Sequence, residues 1–494
     1  MEIKIPKQIQ EVLQALEKNG FEAYIVGGCV RDVLRCKKPN DWDITTNANP
    51  EQIQESMEKV GLKTIYENNF GTVVVLIDSK DQSLKEIEIT PFRTEAGYSD
   101  KRHPDEIKWA KTIKQDLSRR DFTVNAMAVK QGKKMEVIDL FDGQKDLENS
   151  TIKAVGKADT RFNEDALRLI RAIRFAVALD NEKVWQIEQN TAKAIEKNAD
   201  LLKLISQERI RDELIKIINS ANGARGIELL RRFGLLKYII PELELGFNVA
   251  QSKHHFYQVY EHNLLSLHYA CENNFSLHAR IACLLHDIAK PQTKRGKGPN
   301  ATFYNHEVLG AKIAETILRR LKFPVKDIDK MVKLVRFHLF YYNVDEVGPS
   351  SVRRLLRNVG QENIEELLQV RYADRIGSGV PKAEPYKLRH LKYLLEKVAK
   401  DPISAKMIKI SGDEIMKALN IRPGPNVGHI LSYLLSEVMS DPKNNTKAFL
   451  ESKVKELGKL SAPELEKLAK KAKQAVSEVK MKQDKMTKAK YWVS

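Results

Sequence analysis

The sequence predicts an α+β chain, with a small mixed-sheet head followed by an all-helical remainder. Three observations predict it. Short β-type runs are confined to roughly residues 21–130. From about Asp159 onward, apolar residues recur with the helical period. No uninterrupted apolar run reaches membrane-spanning length, so these helices must bury their apolar faces against one another. The 494 residues suit about three domains.

Met1 to Gly20 reads as an amphipathic helix with Glu and Lys mixed in, not as a signal peptide. Phe21–Val26 is a short β-type run that ends at Gly27-Gly28. Thr72–Ile77 is a continuous apolar, largely β-branched run, expected as a buried strand. Leu84–Thr90 alternates, with Glu86, Glu88 and Thr90 on one face and Ile87 and Ile89 on the other. Arg93–Gln115 is highly charged, contains Gly97 and Pro104, has no period, and reads as a mobile loop. Helices are expected over 165–179, 185–198, 207–219, 226–233, 262–270, 276–289, 306–321 and 328–340. Boundaries fall near Asp142-Gly143, at Pro241–Gly246 and around Asp374–Pro385. Glu451–Ser494 holds 12 Lys against 6 acidic residues in an Ala/Lys/Glu-rich helix former.

An apolar content of 42% allows a sizeable core and excludes a wholly disordered chain. Cys29, Cys36, Cys271 and Cys283 form no CxxC pair, which excludes a Cys-rich zinc site and suits a reducing cytoplasm. A net charge of +17 favours a polyanionic partner, nucleic acid or membrane surface.

Gly27-Gly28-Cys29-Val30-Arg31-Asp32 follows a strand and opens a helix. Glycines there let backbone N–H groups approach phosphates, and Arg31 adds a fixed charge. Alone, such a pair is an ordinary tight turn. Asp41-Trp42-Asp43 changes the weighting, because carboxylates at i and i+2 of a strand share a side. Like charges so close repel unless a cation lies between them, and hard oxygen donors suit Mg²⁺. Glu88 is expected as the third carboxylate, with Glu86 on the same face as its rival.

These residues resemble the nucleotidyltransferase signature of the bacterial class II tRNA CCA-adding enzyme and poly(A) polymerase family. Arg119-Arg120-Asp121-Phe122-Thr123-Val124-Asn125-Ala126-Met127-Ala128 resembles its second motif, and Arg161-Phe162-Asn163-Glu164-Asp165-Ala166-Leu167-Arg168 its nucleotide-selecting motif. The resemblance implies a polymerase-β-like head followed by helical neck, body and tail. The implied division is 1–145 for the nucleotidyltransferase head, 146–245 for the neck, 246–395 for an HD-type metal-binding body and 396–494 for the tail. It implies that Asp41 and Asp43 hold two Mg²⁺. One would activate the RNA 3′-hydroxyl and the other would steady the leaving pyrophosphate. Gly28 and Arg31 would cradle phosphates, and Arg120, Asp121 and Asn125 would approach ribose and triphosphate.

Asp165, Arg168, Arg171 and Arg174 recur every three residues and sweep one broad helical face, on which Phe175 also falls. Beside a phosphate site, this face reads as nucleotide-binding. Cytosine and adenine both carry an exocyclic amino donor next to a ring-nitrogen acceptor. Asp165 can accept from the first and Arg168 can donate to the second, whereas uracil and guanine would leave both unpaired. Each buried unpaired polar group costs about 1–3 kcal/mol.

His262, His286-Asp287, His306, His338 and Asp374 resemble the HD phosphohydrolase pattern. Imidazoles and carboxylates from several helices can converge on a divalent transition metal and leave a position for water. His254-His255 receive no ligand role.

The expected activity is template-independent addition of CCA to the tRNA acceptor arm from CTP and ATP, in the cytoplasm, with an HD phosphohydrolase or phosphodiesterase activity as a second reaction. A poly(A) polymerase or a partial CC- or A-adding enzyme is the alternative within the family. Phe70-Gly71-Thr72-Val73-Val74-Val75, where poly(A) polymerases carry a basic-aromatic run, resembles the CCA-adding side. The Arg93–Gln115 loop would serve the switch from C to A. A non-catalytic RNA-binding protein or HD signalling hydrolase is the alternative from another class. Ile421-Arg422-Pro423-Gly424-Pro425-Asn426-Val427-Gly428 resembles the family's tail.

Overall fold

The structure is a computed structural model that describes residues 4–66, 71–96, 106–132, 135–251, 256–344, 346–399 and 408–493. Phe70, His254 and His255 lie outside the described residues.

The chain forms two compact units. The first comprises residues 1–338 and 366–381, and the second 339–365 and 382–494. The first begins with α1 (Lys7–Lys18), β1 (Ala23–Val26), α2 (Gly28–Leu34), β2 (Trp42–Thr46), α3 (Pro50–Glu58), β3 (Lys63–Tyr66), β4 (Val73–Leu76) and β5 (Glu86–Pro91). It continues with β6 (Arg93–Ala96), β7 (Glu106–Trp109), α4 (Ile113–Ser118), β8 (Met127–Lys130) and β9 (Glu136–Asp139). Seven strands make one mixed sheet in the order β3-β4-β5-β2-β1-β8-β9. Only β2 and β5 pair in parallel within it.

Strand alternation decides which residues this sheet presents. Trp42, Ile44, Ile87 and Ile89 are buried in one core with Ile9, Leu13 and Leu16 of α1 and Ile53 and Met57 of α3. Residues one position out of phase, Asp43 and Glu88 among them, therefore take the opposite face. The segment expected as a mobile loop is different. β6 and β7 form an antiparallel ribbon, Arg93 opposite Trp109, and α4 follows with Thr112 at its N-cap. Charge and the absence of a period concealed this pairing. Residues 97–105, between the two strands, lie outside the described residues.

Helices follow: α5 (Gly143–Glu148), α6 (Ala158–Glu164), α7 (Leu167–Ala178), α8 (Gln189–Lys197), α9 (Gln207–Asn219), α10 (Gly223–Arg232), α11 (Leu236–Ile239) and α12 (Pro241–Glu244). A two-residue parallel pair, β10 (Thr151–Ile152) with β11 (Gln186–Ile187), lies between them and delays the helix expected from Trp185. The helix expected from Asp165 begins at Leu167 instead. Asp165 is extended, at φ −134° and ψ 104°, in a break between α6 and α7. The unit ends with α13 (Val259–Glu272), α14 (Leu277–Leu285), α15 (Lys290–Thr293), α16 (His306–Arg320), α17 (Val325–Phe337) and most of α19 (Ile364–Gly377).

The second unit holds α18 (Pro349–Val359), α20 (Tyr386–Ala399), α21 (Gly412–Leu419), α22 (Pro425–Ser440), α23 (Lys447–Leu457) and α24 (Ala462–Tyr491). Ile415, Ile430, Leu434, Leu450, Val454 and Leu465 form its core. The Lys-rich end is the single helix α24, started by a Ser461/Glu464 capping box. None of the described helices is long and apolar enough to cross a membrane.

Candidate functional site

Asp41 immediately precedes β2, and Asp43 lies one residue inside it. The parallel register sets Asp43 level with Glu88, while Glu86 is two positions further back, beyond the Trp42–Ile87 pair. The Asp43 carboxyl is pushed up to about 6. Burial is the largest cause, Asp41 and Glu88 add to it, and the Arg120 guanidinium opposes it. A carboxylate made costly by burial and by other carboxylates is one that a cation would relieve, and an all-oxygen donor set fits Mg²⁺.

Gly27 lies at the end of the preceding strand, at φ 88° and ψ −137°. A Cβ there would stand 2.9 Å from Arg120 Nη1 and 3.5 Å from Asp43 Oδ2. Bare backbone at this point leaves room for Arg120 beside the Asp43 carboxylate. Arg120 also donates to Asp116 at 3.3 Å. Burial would raise the fully enclosed Asp116 carboxyl, but Arg119 and Arg120 together hold it below its usual range.

The other motif residues form a wall beside this point. Arg31 donates to Asp32 at 2.9 and 3.0 Å and to Asn125 Oδ1 at 2.7 Å. Asn125 donates to Asp121 at 3.1 Å, and Arg171 donates twice to the same aspartate, at 3.0 and 2.6 Å. Burial would raise Asp121, yet Arg171 and Asn125 hold it well below the carboxylate range. Asp121 and Asn125 are buried, so the structure uses them to fix Arg31 and Arg171.

The arginine face is likewise paired. Arg168 donates to Glu164 at 2.8 Å and to the carbonyl of Arg119 at 2.9 Å. Arg174 lies 2.8 Å from Glu213, and burial and then Arg171 lower it to about 10. Phe175, on the charged side by helical count, is buried because guanidiniums cover it: those of Arg174, Arg171 and Arg31 lie 3.9, 5.3 and 5.6 Å from its ring. Asp165 receives Arg209 at 3.2 and 2.9 Å. Sequence reading missed Arg209 and Glu213, both on α9. The signal available was Glu213 itself, a carboxylate within the apolar stripe of Ile210, Leu214 and Ile217.

The HD residues converge. Nε2 of His262 lies 3.1 Å from Asp287, 3.4 Å from Asp374 and 2.9 Å from His286 Nε2. His306 and His338 approach Asp287 at 3.2 and 3.7 Å. Two groups, His262-His286-Asp287-Asp374 and Asp287-His306-His338, each place their ligand atoms within 4.8 Å of one another. Nδ1 of His286, His306 and His338 pairs with the backbone carbonyl three residues earlier, at 2.7–2.8 Å. His286 and His338 are C-cap residues, where helix-end carbonyls lack an intrahelical donor. A proton on Nδ1 leaves Nε2 as the inward lone pair, the tautomer a metal requires.

Burial opposes charge on Asp287 and Asp374, but both are held well below their usual range. Lys290 and His286 act on Asp287, and hydrogen bonds from His262 and His286 act on Asp374. His286 is pushed to about 10 because the two carboxylates outweigh its burial. His338 is lowered to about 3, mainly by burial. Four converging imidazoles and two buried carboxylates fit a divalent transition metal. Lys290, which lies 2.6 Å from Asp287, was missed by sequence reading; its i+3 spacing after the His-Asp pair was the signal.

Residues 23–153 match the poly A polymerase head domain, 185–246 the probable RNA and SrmB-binding site of polymerase A, and 255–378 the HD domain. A CCA-adding enzyme of Limosilactobacillus reuteri is 32% identical over 449 residues, 91% of this chain and 96% of that protein. A CCA-adding enzyme of Lactobacillus delbrueckii subsp. bulgaricus is 47% identical over 211 residues, 42% of this chain and about half the length of that relative (50%). The crystal structure of the Bacillus stearothermophilus CCA-adding enzyme in complex with CTP superposes with a TM-score of 0.57 at 26% identity, covering 92% of this chain and 98% of that one. The fold and site define a polymerase-type nucleotidyltransferase head joined to a helical chain with an HD domain. Within that class, the chain belongs to the CCA-adding enzyme family.

Proposed function

We propose that the chain is a tRNA nucleotidyltransferase that adds the 3′-terminal CCA from CTP and ATP without a nucleic-acid template. The observation that carries this reading is the β2–β5 register, which sets Asp43 beside Glu88 with Arg120 over bare backbone at Gly27. Asp41, Asp43 and Glu88 would hold Mg²⁺, which when bound supplies charge neutralisation at the reacting phosphate and acidifies the attacking hydroxyl. The chain's own residues do the rest. Gly27 and Gly28 keep the phosphate path open. Arg120 offers fixed positive charge beside Asp43. Arg31, fixed by Asp32 and Asn125, walls the site. Asp165 and Arg168 select a base by accepting from its amino group and donating to its ring nitrogen. The complex of the Bacillus relative with CTP supports the nucleotide assignment.

The net charge of +17 and the match to an RNA-binding segment support tRNA as partner, held through its phosphates and shape. That role sets the protein in the cytoplasm. The division into head 1–145, neck 146–245, HD body 246–395 and tail 396–494 belongs to the same reading. Incubation with tRNA lacking its 3′ end and each nucleotide in turn, followed by sequencing of the ends, tests it. CCA ends support it; poly(A), CC-only or A-only ends refute full addition. Asp41→Ala/Asp43→Ala protein should add nothing.

A second activity is favoured by the inward Nε2 set. The HD residues would hold a divalent transition metal, which when bound activates water for phosphoester hydrolysis. Release of phosphate from simple or 2′,3′-cyclic phosphoesters, lost in Asp287→Ala, is the test.

A further inference from the structure

We infer that Arg209 is a positioning residue for base choice: it fixes the orientation of the Asp165 carboxylate and so sets which nucleotides the site accepts. The inference rests on the reading that Asp165 and Arg168 face the base.

Asp165 sits in the break between α6 and α7, where no helical backbone orients it. Its side chain is fixed by three donors instead. Oδ1 accepts from the Leu167 N–H at 3.1 Å and from Arg209 at 3.2 Å, and Oδ2 accepts from the other Arg209 amine at 2.9 Å. An ionised carboxylate offers about four acceptor positions, so about one remains, on Oδ2. One remaining acceptor matches one amino hydrogen of cytosine or adenine. The carbonyl of uracil or guanine would face the same lone pair and be repelled. Because the fork is bidentate, it fixes the plane of the carboxylate as well as its position.

Arg209 is well placed to do this. It lies in the first turn of α9, four residues before Glu213, which is 3% exposed and pairs with Arg174. One helix thus holds the selecting helix α7 through Glu213–Arg174 and the selecting carboxylate through Arg209. Arg168 is fixed separately, by Glu164 and the Arg119 carbonyl, so losing Arg209 frees one half of the selecting pair and leaves the other.

The test measures kcat/KM for CTP, UTP, ATP and GTP on tRNA lacking its 3′ end, in parental, Arg209→Gln, Arg209→Lys and Asp165→Ala proteins. The expected result is that Arg209→Gln lowers the CTP:UTP and ATP:GTP ratios by about tenfold or more. Lys cannot form the planar fork and should restore the ratios only in part. A ratio is read on whatever fraction is folded, so partial loss of protein does not blur it. If Asp165→Ala relaxes choice while Arg209→Gln leaves both ratios intact, or slows all four nucleotides equally, the inference is overturned and base selection by Asp165 stands. If neither variant relaxes choice, base selection by Asp165 itself fails.

Discussion

Replacing Asp43 by Asn should leave the protein inactive in transfer but more stable. The carboxyl is raised from the ordinary 3.8 to about 6 by burial, by Asp41 and by Glu88, against Arg120. The folded state therefore holds this proton more tightly than the unfolded chain does. Between about pH 4 and 6 the folded state binds more protons, so stability falls as pH rises through that window and is flat above it. At about 1.4 kcal/mol per pH unit, the penalty reaches about 3 kcal/mol at neutral pH. Asn is neutral and nearly isosteric, and escapes it. Urea unfolding at pH 7.5 in EDTA should show Asp43→Asn more stable by up to about 3 kcal/mol. At pH 4 the difference should vanish. Mg²⁺ should stabilise the parental protein by mass action and leave the variant unmoved. An Asp43→Asn protein no more stable than the parent at pH 7.5 without divalent ions would refute the reasoning.

Other consequences follow from single contacts. Gly27→Ala should strain a backbone that only Gly adopts readily, by about 1–3 kcal/mol. It should also push Arg120 from Asp43, so single-turnover addition should slow by about tenfold or more, with tRNA affinity retained. Phe175→Ala should cost about 3 kcal/mol or more in chemical denaturation, because it empties the space beneath three guanidiniums. Asp287→Ala, which removes the carboxylate shared by both HD groups, should abolish divalent metal retention in elemental analysis and leave CCA addition intact.

Much of the candidate site's layout was legible because it depends on local rules. The two-residue strand period put Asp41 and Asp43 on one side, and the alternation of Leu84–Thr90 separated Glu88 from Ile87 and Ile89. Register was not legible, so sequence could not say that Glu88 is the carboxylate level with Asp43. Arg209 and Glu213 were missed for a related reason. Their partners lie 44 residues away at Asp165 and 39 at Arg174, and sequence does not say which helices touch. The arginine row had the right spacing for a face, but spacing could not reveal that Asp121, Glu164 and Glu213 already neutralise it. The ribbon of β6 and β7 was hidden because its charged sequence shows no alternation to mark a strand.

The HD cluster draws its last member from a returning segment. The chain leaves the first unit after His338 and comes back at Glu366, bringing Asp374 to His262 and His286. During synthesis, four histidines and Asp287 therefore exist before the second carboxylate has been translated. A nascent chain stalled ahead of residue 374 carries an imidazole-rich pocket short of one anion. The complete set of candidate ligands exists only once the ribosome has passed that helix. Any shortened product ending in the intervening stretch would keep the Asp287-His306-His338 group and lose Asp374 from the other.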